Sequence, residues 1–188
     1  TSETWDFADP TLQVGGDVVV AGGSGTTLTI ADGSVLAFES GTGLTCGGSG
    51  TGVLEVQGTA TGVTMTSSAT SPTAGAWDGL TLSTGASGSR LVGLTEEYGG
   101  SSTRAGLYDG VSVTVRDSSF THSAGYGIYG GSTLSVTDSV ISDNALDGVY
   151  LPTTASLPAF DGNTVTGNGA CGVRTVASSV ESIDSAGT

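Results

Sequence analysis

The chain is 188 residues long, enough for one domain with a sizeable core. Its 18 acidic residues face four arginines and no lysine, and the formal net charge of −14 repels nucleic acid, anionic membranes and polyuronates alike. No run approaches the roughly 18 apolar residues of a membrane helix, and two distant cysteines, Cys46 and Cys171, suggest no zinc site.

Residues 1–25, with "TSETWDFADPTLQV" and "DVVVAG", form a strand-rich segment that could cap one end of the remaining chain, laying Trp5 and Phe7 across it. From Thr26 to Thr188 the chain reads as all-β and continuous with that segment as one domain. "TLTIADG", "VLAFES", "VLEVQG", "VSVTV" and "TLSVT" set β-branched and aliphatic residues between Gly, Asp and Asn turns. No stretch has the periodicity of an amphipathic helix. The chain starts at Thr1 without methionine and stops in mid-turn at "VESIDSAGT". That predicts a piece of a longer protein, or self-association through an uncovered end.

A glycine followed by an aliphatic residue recurs at Gly43, Gly79, Gly106, Gly127, Gly148 and Gly172, and the last three intervals are 21, 21 and 24 residues. Val115, Val136 and Phe160 repeat at 21 and 24, as do Phe120, Ile141 and Val165. An insertion in "LPTTASLP" accounts for the longer interval. Three strand-like runs per period predict a parallel β-helix of three strands per turn, with about six to seven turns rising roughly 4.8 Å each. Leu44, Leu80, Leu107, Ile128, Val149 and Val173 form one inward column, and Cys46 faces the core beside it. Asn144 and Asn168 share a corner register with Ser123, where asparagine is expected to take the αL bend and ladder its amide.

The outward column beside those aliphatics is Thr45, Thr81, Tyr108, Tyr129, Tyr150, Arg174. Three tyrosines in successive turns predict an aromatic strip, either a structural ladder or a surface that stacks on sugar rings, with Arg174 capping it by cation–π contact. Asp109 and Asp147 flank the strip, and His122 sits one register step from Asp143. These four are the candidate acid–base residues, because a His and a carboxylate a strand spacing apart can exchange a proton with substrate. Asp117 with Asp138 is a second carboxylate pair of the kind hydrolysis needs, although both also suit turns. Glu96 and Glu97 read as a solvated corner. No motif marks a cofactor or a metal site, and calcium would have only scattered carboxylates to bind. Ranks of Thr at "TLT" and "TMT" are interrupted by Glu55 and by the tyrosines, which argues against a flat ice-binding face.

"TLTIADGSVLAFESGTGL", "VLEVQGTATGVTMTSS", "WDGLTL", "EYGG" and the Gly-aliphatic-Tyr turns resemble bacterial right-handed parallel β-helix repeat proteins of the pectate-lyase-like superfold. The resemblance implies a right-handed hand and an exported or surface-attached protein. It leaves activity open, since that superfold carries lyases, hydrolases and adhesins. The expected role is a secreted or cell-surface structural and adhesive module that contacts a polysaccharide or surface glycan through Tyr108, Tyr129, Tyr150 and Arg174. The alternative is a polysaccharide-active lyase or glycoside hydrolase using Asp109, His122, Asp143 and Asp147.

Overall fold

The computed structural model describes residues 2–176 except 8, 10, 24, 102, 103, 153 and 154. The expected stop at "VESIDSAGT" lies outside the described residues. Among the described residues, twenty-one short strands form three parallel sheets of seven strands each. Every turn supplies one strand to each sheet. The first turn is Glu3–Trp5, Leu12–Val14 and Val18–Val20; the second is Thr27–Ala31, Val35–Phe38 and Leu44–Cys46. Val53–Gln57, Val63–Ser67 and Leu80–Leu82 make the third, and Arg90–Val92, Leu94–Glu97 and Leu107–Asp109 the fourth. The fifth is Val113–Arg116, Ser119–Thr121 and Ile128–Gly130; the sixth is Thr133–Thr137, Val140–Ser142 and Val149–Leu151. Ser156–Asp161, Thr164–Thr166 and Val173–Thr175 complete the seventh. Residues 3–20 are therefore a full first turn in register with the second.

Alternation along each strand sends every second side chain into a common interior. In the third sheet the column Leu44, Leu80, Leu107, Ile128, Val149, Val173 is in direct register. The first sheet stacks Val115, Val136 and Phe160, and the second stacks Phe120, Ile141 and Val165. The spacing of 24 at the last turn is absorbed partly by a one-residue register shift opposite Thr133 to Ser135. Each buried aliphatic meets the ones above and below it, which supplies about 1.5–3 kcal/mol per side chain. Cys46 is fully buried, its thiol donates to the Gly52 carbonyl at 3.0 Å, and burial pushes its pKa up to about 11.

The corners are fastened by side chains from the following turn. Between the first and second sheets, the Leu94 N–H donates to Ser118 Oγ at 3.1 Å, that of Ser118 to Ser139 Oγ at 3.1 Å, and that of Ser139 to Asn163 Oδ1 at 3.0 Å. Between the second and third, the Ser123 N–H donates to Asn144 Oδ1 at 2.9 Å and the Asn144 N–H to Asn168 Oδ1 at 3.2 Å. Asn144 Nδ2 also donates to Asn168 Oδ1 and to the Phe120 carbonyl. The ladder is the one expected, but the αL bend falls one residue earlier, on Tyr98, His122, Asp143 and Gly167. An inward-pointing amide needs ordinary backbone, so the sharp bend precedes it.

Glu96 overturns the expectation of a solvated corner. It stands between Met65 and Phe120 in the inward column of the second sheet and is 0% exposed. Alternation decides this: Leu94 is inward, so Glu96 is too. Neither carboxyl oxygen has a well-formed hydrogen bond. Burial pushes the Glu96 pKa up to about 8, with the nearby Gly99 N–H opposing the rise and the Glu97 charge adding to it. The carboxyl lies against Gly99 and Gly106, where any Cβ would collide with it. Trp77, which stacks on Phe38 at 4.3 Å and donates Nε1–H to the Glu97 carbonyl, packs alongside.

Two outcomes are expected for stability. Asn144→Ala leaves the Ser123 N–H and Phe120 carbonyl without partners, and urea unfolding is expected to show a loss of about 3 kcal/mol. Asn168→Ala, at a half-buried position, should cost less; an equal loss would contradict the ladder. For Glu96, the folded pKa of about 8 exceeds the ordinary 4.5, so the folded state holds the proton longer. Its contribution is complete below about pH 4.5 and is lost towards pH 8, at up to about 1.4 kcal/mol per pH unit. Glu96→Met should raise stability and flatten the slope between pH 5 and 8, and an unchanged slope would refute this.

Candidate functional site

The third sheet carries the aromatic surface. Val19, Thr45, Thr81, Tyr108, Tyr129, Tyr150 and Arg174 are consecutive outward neighbours in register. The column thus changes from short side chains to tall ones between Thr81 and Tyr108. Tyr108 and Tyr129 are stacked, with ring centroids 4.8 Å apart and planes 16° from parallel. The stack then breaks: Tyr129 meets Tyr150 edge-on at 65°. Tyr150 stacks on Tyr126 instead, at 5.0 Å and 18°. Two stacked pairs cross where a single three-membered ladder was expected.

Tyr126 is the residue that the sequence reading missed. It precedes Gly127 at the corner, outside the strand alternation that turns Tyr108, Tyr129 and Tyr150 outward. Its signal was its place one turn below Asp147, within reach of the same outward column. Burial, then the neighbouring hydroxyls of Tyr108, Tyr150 and Tyr126, raises the Tyr129 phenol above its ordinary pKa.

Two hollows meet at the Tyr108–Tyr129 pair. One, of about 430 Å³, lies over the short side chains below Tyr108 and is lined by Thr45, Thr81, Asp78 and Arg104 as well as both tyrosines. Another, of about 550 Å³, runs along the opposite strand ends past Ser83, Thr84, Gly110, Gly131 and Pro152. Asp78 and Arg104 are both exposed. Both sit where the chain lengthens between the second and third sheets, so no column of equivalent residues flagged them.

The four acid–base candidates do not converge. Asp109 does not flank the strip: two residues after inward Leu107, it faces the interior between Leu82 and Gly130 and is 0% exposed. One oxygen accepts the Val111 N–H at 2.9 Å and the other is unpartnered. Burial pushes the Asp109 pKa up to about 7, against the opposing effect of that hydrogen bond. Asp147 is also fully buried. Its Oδ1 accepts the Cys171 N–H at 2.8 Å and its Oδ2 lies 2.9 Å from Arg174 Nε. Arg174 adjoins Tyr150 in register, as expected, but its guanidinium pairs with Asp147, whose charge raises the arginine pKa. His122 and Asp143 occupy successive turns of one exposed corner. The imidazole stacks on Tyr98 in the turn before, at 5.0 Å, while the Asp143 carboxylate reaches over Gly167 in the turn after. The two side chains point apart.

A third hollow, of about 790 Å³, lies at the corner between the first and second sheets and is lined in part by Asp117, Asp138 and Arg116. Arg116 pairs with Asp117 at 3.4 Å, and Asp138 reaches over Gly162. One wall is the loop 59–62, whose four backbone N–H groups donate to Asp32; those bonds, led by Thr61, outweigh desolvation and lower the Asp32 pKa. Among the described residues, no three His, Cys, Asp or Glu side chains cluster as metal ligands, and no helix is long and apolar enough to cross a membrane. Cys46 and Cys171 are both free, the second exposed, and they lie five turns apart.

Residues 15–184 match the family model described as "Right handed beta helix region". No curated protein and no solved structure matches the chain. The matched span takes in nearly all of the seven stacked turns, and on that ground the chain belongs to the right-handed β-helix family.

Proposed function

We propose that this protein is a secreted or cell-surface β-helix module with a structural and adhesive role, and that it binds neutral glycans through its tyrosine cluster. The observation that carries this reading is the Tyr108–Tyr129 stack standing beside a polar hollow, with Tyr108 39% exposed. An aromatic ring offers an apolar π-face that suits the C–H face of a pyranose, and the nearby Asp78, Arg104 and threonines suit its hydroxyls. The net charge of −14 favours uncharged glycans over uronate polymers. The exported location rests on the resemblance to exported β-helix repeat proteins.

A polysaccharide-active enzyme is the second reading. What supports it is the pair of hollows on either side of the tyrosines, walled by Arg104 and by Thr84 and Pro152. Against it stands the separation of Asp109, His122, Asp143 and Asp147, which brings no acid and base to one substrate atom.

The test is retention on immobilised neutral polysaccharides and a glycan array, paired with a degradation screen. Tyr129→Ala is expected to weaken retention about tenfold with the β-sheet circular dichroism unchanged. Polygalacturonate should not be retained. Release of reducing or unsaturated sugars by the unmodified chain would replace the binding reading with the enzymatic one, and no retention on any glycan would leave only the structural role.

A further inference from the structure

The direction of the tyrosine stack decides which ring face is free. Tyr108 and Tyr129 are register partners, and their 4.8 Å centroid separation matches the roughly 4.8 Å rise of one turn. The rings therefore stack turn upon turn, and the face of Tyr108 turned away from Tyr129 is the one left free. The upper face of Tyr108 is taken by Tyr129. Its lower face looks toward the previous turn, where the register partner is Thr81 and the one before is Thr45. Threonine is too short to fill the space that a further aromatic would occupy, and that space is the hollow of about 430 Å³.

We propose that this hollow is a subsite for one neutral hexopyranose, which joins the stack as its next member. The inference rests on the neutral-glycan reading and narrows it to a place and a pose. The sugar's C–H face covers the lower face of Tyr108. Its rim of hydroxyls meets Thr45 and Thr81 on the floor, the Asp78 carboxylate as acceptor and the Arg104 guanidinium as donor. Four polar groups around one flat apolar face fit a ring with hydroxyls on its periphery, and an unsubstituted aromatic ring would leave them unpaired. With its face on Tyr108, the sugar carries its ring substituents around the rim, where a connected chain would leave across the sheet or into solvent and not through the tyrosine stack.

The experiment is an NMR titration of the intact chain with methyl glycosides of glucose, galactose and mannose, observing the threonine methyl groups and the ligand ring protons. The expected result is saturable movement of the Thr45 and Thr81 methyls, upfield shifts of the sugar C–H protons from the Tyr108 ring current, and a dissociation constant on the order of millimolar for the best sugar. Asp78→Ala, at an exposed position that the fold does not need, should raise that constant about tenfold. Polysaccharide retention that depends on Tyr129 but is indifferent to Asp78→Ala, with no threonine methyl shift, would overturn the subsite and leave the broader glycan reading standing. Absence of both methyl shifts and polysaccharide retention would overturn the two together.

Discussion

One turn of this chain encloses too little apolar volume to hold itself together, so everything depends on turns stacking in register. Each strand is three to six residues long and gains its partners only from the turn before and the turn after. The inward columns are the energetic expression of that dependence. A leucine in the third sheet is dry because other aliphatics lie one strand spacing away on both sides. The serine and asparagine ladders are its polar counterpart, since a corner N–H would be orphaned without an acceptor from the adjoining turn.

The same constraint makes the exceptions informative. Glu96 and Asp109 place carboxyl groups where register demands an inward side chain, and both respond by holding protons to unusually high pH. Alternation outranks chemistry here: a strand cannot turn one residue outward without turning its neighbours inward. Trp77, Gly99 and Gly106 are fitted around the Glu96 carboxyl, so this region is less regular than the turns above it.

The fold was legible because the period, the glycine-aliphatic pairs and two further series agreed on one register, and the observed pairing is that register. Corners were less legible. The Ser118–Ser139–Asn163 ladder has little sequence signature, because serine is abundant throughout and its recurrence at 21 residues carries little contrast. Residue type misleads at Asp109 and Glu96, since acidic residues are so seldom buried, although the alternation that puts Cys46 inside applies equally to both. At the candidate site, Tyr108, Tyr129 and Tyr150 followed from register. The break in their stack did not, because ring orientation depends on Tyr126 reaching in from a corner. Asp78 and Arg104 lie in the irregular stretches of the third and fourth turns, where no period guides the eye.

The corner ladders have a direction. In both, the side-chain acceptor belongs to the later turn and the donor to the earlier one, as Asn144 does for Ser123 and Asn168 for Asn144. A turn such as the sixth carries the cap for its predecessor and relies on the seventh for its own. Its buried Asp147 likewise finds the Cys171 N–H and Arg174 only in that next turn. Each turn therefore closes the one before it, and the order of the turns is written into their corners.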